Sequence, residues 1–170
     1  MHDHSHPNAG PDRATILLMI AESYAGPAWH GPSVLEALDG VDASTAARKP
    51  GAARNSIWEL VLHLAHGRHL LVERTLNQPL SAFPREIREP WWPVPPADTS
   101  DEAWHADLAL LDDRHRALID AIQHATPAQL ARVPDRSDHS VGRQLLGMAL
   151  HDTYHAGQIR LLALALGDTA

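Results

Sequence analysis

A chain of 170 residues with 44% hydrophobic side chains carries enough apolar material for one domain with its own core. Its formal net charge of -7, from 14 Lys and Arg against 21 Asp and Glu, argues against a surface that tracks nucleic-acid phosphates, and the absence of cysteine excludes disulfides, thiolate nucleophiles and cysteine-based zinc sites. The start of the chain has neither a basic nor an apolar leader region and no segment reaches the roughly 18 uninterrupted apolar residues of a membrane span, so a cytoplasmic protein without a membrane partner is expected.

Residues 1–12 read as a flexible segment in which His2, His4 and His6 alternate before Pro7; residues 13–168 read as a single helical domain. From Arg13, apolar residues at Ile16, Leu17, Ile20 and Tyr24 recur at helical spacing, and Pro27, Gly31 and Pro32 break the chain before a short helix with Val34, Leu35 and Leu38. A loop over 39–51 leads to Ser56 and Glu59, a capping box that starts a long helix running to about Asn77. Six prolines between Gln78 and Ser100 make regular structure there improbable, while Trp91 and Trp92 favour an ordered loop packed on the body. Thr99 and Glu102 supply a second capping box for a helix carrying Trp104, Leu108, Leu111, Leu118 and Ile122. A connection through Pro127 and Pro134 follows, and Ser140 is the expected cap of a last helix over about 141–166. Amphipathic helices of this length bury their faces as an all-α four-helix bundle, with the Pro-rich loop joining the second and third long helices.

The 13 histidines are the unusual feature of the composition. His151 and His155 stand one turn apart on the last helix, and Met148, Ile159 and Leu162 continue their stripe, which turns both toward the interior. Buried imidazoles need partners, and a shared divalent ion satisfies both. Asp152 and Gln158 are candidate acceptors for their outer ring nitrogens. A third ligand is required, and spacing cannot choose among His63, His66 and His69. His63 lies beside the Leu60, Leu64 and Leu71 side, whereas His66 and His69 drift toward a polar side with Arg68 and Glu73. His115, on the stripe from Leu111 to Leu118, reads as a hydrogen-bonded core histidine.

The residues 145–159, LLGMALHDTYHAGQI, resemble the H-x-x-x-H-x-x-Q-I signature of DinB/YfiT-like proteins, and 56–65, SIWELVLHLA, resemble that family's second-helix motif. The segment 28–33, AWHGPS, is similar to one branch of it. The resemblance runs from about Arg13 to Leu166. It implies an up-down-down-up bundle, homodimers, and a metal held by His63, His151 and His155. It further implies thiol-dependent S-transferases, with a low-molecular-weight thiol as cosubstrate, or metal-dependent hydrolases.

Three neutral imidazoles leave a divalent ion its full charge and an open position, the pattern of a catalytic site. Zn²⁺ or Ni²⁺ is expected, with Fe²⁺ and Mn²⁺ also compatible with the donors. The chain is therefore expected to activate a small thiol for S-transfer to a small-molecule substrate. Water activation for hydrolysis is the alternative, and a non-enzymatic metal-dependent binding or stress-response protein a third reading. Glu59 could serve as a base, but its capping position gives it another task. Tyr154, His30 and the Trp91-Trp92 loop are candidate pocket residues.

Overall fold

The computed structural model describes residues 11–51, 55–89, 91–135 and 137–166. The expected flexible segment with its histidines therefore lies outside the described residues, apart from Pro11 and Asp12. The described chain is mostly helical. Its four long helices are α1 (Arg13–Ala25), α4 (Ile57–Leu70), α5 (Asp101–His124) and α7 (Val141–Leu166). Shorter helices α2 (Val34–Leu38), α3 (Ala43–Ala47) and α6 (Pro127–Ala131) join them. Helix α1 packs on α7 and α5, and α4 packs on α5 and α7, so each long helix touches two others.

The caps explain the helix starts. Asp12 accepts from the Thr15 N–H, and Ser56 accepts from the Glu59 N–H while the Glu59 carboxylate reaches back to the Ser56 N–H at 2.7 Å. Ser140 accepts from the Arg143 N–H at the head of α7. Several local expectations need correction. The loop after α2 contains α3, because Asp42 caps a turn by accepting from the Thr45 N–H at 2.7 Å. The connection after α5 contains α6, where Pro127 follows a Thr126–Gln129 capping box. Helix α5 starts at Ser100, not Thr99: its hydroxyl accepts from the Ala103 N–H, with Asp98 bracing Ser100 at 2.9 Å. Helix α4 stops at Leu70 and continues to Thr75 as a π-helical turn.

The Pro-rich segment also departs from expectation. Ile87–Glu89 (β1) and Trp92–Pro93 (β2) form a small antiparallel hairpin, closed by the Val94 N–H on the Glu86 carbonyl at 2.8 Å. Proline is tolerated because each strand has only one neighbour. Strand β2 lies against α4.

Two apolar clusters fill the interior. One gathers Trp58, Leu62, Trp104, Leu111 and Ile159; the other gathers Ile16, Ile20, Leu118, Ile122 and Leu145. Both buried indoles are satisfied, Trp58 by Asp107 at 2.8 Å and Trp104 by the Val41 carbonyl at 3.0 Å. Helix α4 with its π-helical turn, α5 and α7 each pass from one cluster to the other at a buried polar residue: Arg68 between Ala65 and Val72, His115 between Leu111 and Leu118, Asp152 between Ala149 and Ala156. Arg68 and Asp152 form a fully buried ion pair at 2.8 Å, Ser23 donates to the same carboxylate, and Arg68 lies over the Tyr24 ring.

Candidate metal centre

Helix α4 supplies His63 and helix α7 supplies His151 and His155. The Nε2 atom of His151 lies 3.0 Å from the Nε2 of His63 and 3.0 Å from the Nε2 of His155. His63 and His155 are buried and His151 is half-buried, and the three nitrogens lie close enough together for one metal ion to be held by all of them.

The outer ring atoms fix what those nitrogens can do. His63 Nδ1 sits 2.7 Å from the Trp91 carbonyl, and His155 Nδ1 sits 2.6 Å from Gln158 Oε1. Both oxygens only accept, so both rings carry their proton on Nδ1 and present an Nε2 lone pair inward. Burial depresses all three: His63 below the usual imidazole range, His151 to about 3 and His155 to about 4, with the neighbouring histidines adding to the depression of the last two. Near neutral pH the cluster has no spare proton. His151 Nε2 can donate to one of the two facing lone pairs at most, which leaves the other without a partner in a buried setting. A cation at the centre resolves this conflict, and the donor set fits Zn²⁺, Ni²⁺ or Fe²⁺.

The hairpin closes one side of the cluster. The Trp92 ring stacks on His63 at 4.1 Å and 13°, while Trp91 gives its carbonyl to the same imidazole. On the other side a cavity of about 560 Å³ opens between α4 and α7, with His63 and His151 in its wall. Trp91 lines it too.

Gln158 is the acceptor that the sequence proposed, and its amide nitrogen donates to the Tyr154 hydroxyl at 3.0 Å, so Tyr154 stands beside the site. Asp152 is not an acceptor for the histidines: one residue on from His151 it points to another face, where it binds Arg68 and Ser23. Burial pushes its pKa up, with the Arg68 guanidinium and the Ser23 hydroxyl pulling against that rise. Glu59 is committed to its cap and to Lys49 at 2.8 Å. His30 stands apart from the cluster, edge-on to the exposed Trp29.

His66 and His69 do not drift to a polar side. Both are buried around Phe83, and His69 pairs with Glu73 at 3.1 Å. Arg68 is likewise buried. His115 does face inward, but it stacks on Tyr24 at 3.7 Å and its Nδ1 has no hydrogen bond; burial lowers its pKa to about 3.

Residues 29–159 match the family model of the DinB superfamily. The chain belongs to the DinB superfamily. No curated protein and no solved structure matched it. In this DinB chain His63, His151 and His155 all lie within the matched residues. No helix of the described residues is long and apolar enough to cross a membrane.

Proposed function

We propose that this DinB protein binds one divalent ion through His63, His151 and His155 and uses it to activate a small thiol for transfer to an organic electrophile. The carrying observation is the convergence of three Nε2 atoms, two of them bare lone pairs, where His63 and His151 open onto a cavity. Held there, a divalent ion would supply a Lewis acid that lowers the pKa of a thiol brought against it.

The chain's own residues do the rest. Trp91 and Gln158 fix the ring orientation and tautomer of His63 and His155. Trp92 covers one face of His63 and keeps water from it. A thiol is favoured over water as the nucleophile because no carboxylate joins the histidine cluster among the described residues. A thiol, ionising near pH 8.5, needs less help to lose its proton than water does. The four long helices are proposed to form the up-down-down-up bundle. A homodimer is proposed on the outer face of α7, where exposed Leu150, Tyr154, Leu161 and Leu164 recur at the spacing of a helix-pairing seam.

Anaerobic incubation of zinc- or nickel-loaded protein with a thiol and a general electrophile tests the reaction. Metal-dependent conjugation that disappears in His151→Ala is expected. Hydrolysis of an ester without conjugation would replace this reading with the water-activating one.

A further inference from the structure

Gly67 stands four residues after His63, and Gly147 stands four residues before His151. On an α-helix that spacing puts each glycine one turn from its histidine and on the same face. Glycine is the poorest helix former after proline, and neither residue has the positive φ that would require one. A methyl group on Gly67 would come within 3.2 Å of the Met148 methyl, and one on Gly147 would meet nothing within 4 Å. Both glycines line the 560 Å³ cavity onto which His63 and His151 open, a volume inside the range of about 300–1,000 Å³ typical of small-molecule sites.

Leu70, Leu71, Trp91 and Met148 give that cavity apolar walls. Its acidic group is Asp135, and no Lys or Arg lines it among the described residues. We infer that Gly147 is a specificity-determining residue that leaves room in this chamber for an uncharged, aryl- or alkyl-bodied ligand, with its reacting group toward His63 and His151. A carboxylate on the body of the ligand is disfavoured against those apolar walls, which strip its hydration. This rests on the metal-and-thiol reading of the same site, which supplies the identity of the reacting group.

The test is calorimetric titration of the zinc-loaded protein with phenylethanethiol, mercaptoethanol and mercaptohexanoate, in the wild type and in Gly147→Leu and Gly147→Met. Zinc content and thermal melting are measured alongside, and the more flexible methionine serves if the leucine variant does not fold. Phenylethanethiol is expected to bind the wild type about tenfold or more tightly than either other thiol, from burial of its ring. The variants are expected to keep their zinc and lose that preference. A wild type that binds the three thiols alike, or a folded variant that keeps the preference, overturns the inference. A zinc-loaded wild type that binds none of them contradicts the thiol reading and takes this inference down with it.

Discussion

Gln158 shows how a single side chain sets the chemistry of another. Its amide oxygen holds His155 Nδ1 at 2.6 Å while its nitrogen is anchored on Tyr154, so the His155 tautomer is fixed from outside the cluster. Gln158→Leu should weaken metal binding by about 10- to 100-fold, read by competition with a chelator, whereas Tyr154→Phe should change it little. Arg68 and Asp152 work through burial. Arg68→Met leaves the carboxylate uncompensated and should destabilise the fold by about 3–5 kcal/mol in urea unfolding, with much of that loss recovered in Arg68→Met/Asp152→Leu. At this scale His151 and His155 were legible from spacing, but the choice of His63 needed a motif. The Trp91 carbonyl was hidden because a sequence does not show where backbone acceptors turn. Asp152 misled because adjacency in sequence is a rotation of about 100° on a helix.

Between residues and the molecule stand the elements that aim them. The Ser56–Glu59 capping box fixes where α4 begins, and so the turn at which His63 emerges. Glutamine caps as glutamate does, so Glu59→Gln should keep both the melting temperature and the conjugation rate close to wild type. A collapse of the rate with an unchanged melting temperature would make Glu59 a base after all. The long helices were legible because hydrophobic period and caps agreed. Helices α3 and α6, at 5 residues each, were too short for a period to register, and only their Asp42 and Thr126 caps announced them. The hairpin was masked by its prolines, although Trp92 needed a surface to pack on and found it in His63. The start of α5 slipped by one residue because Thr99 and Ser100 are equally good caps by type, and Asp98 decides for Ser100.

For the molecule as a whole, burying four titratable rings links folding to pH. His151 and His115 are held at about 3 and His155 at about 4, against 6.5 for an exposed imidazole. The unfolded chain therefore binds protons that the folded one refuses. Stability of the metal-free protein should be at its full value above about pH 7 and should fall steadily as pH drops from 6.5 toward 3. Urea midpoints at about pH 7.5 and about pH 5 check this, and equal midpoints would contradict it. The same depression keeps the Nε2 lone pairs available to a metal at lower pH than free histidine allows.

The central claim is the three-histidine ion site, and elemental analysis of protein purified without added metal tests it most directly. The wild type should carry one divalent ion per chain, and His63→Ala, His151→Ala and His155→Ala should each have lost it while remaining folded. Full metal content in all three variants, or a wild type that stays metal-free after dialysis against Zn²⁺ and Ni²⁺, would contradict it.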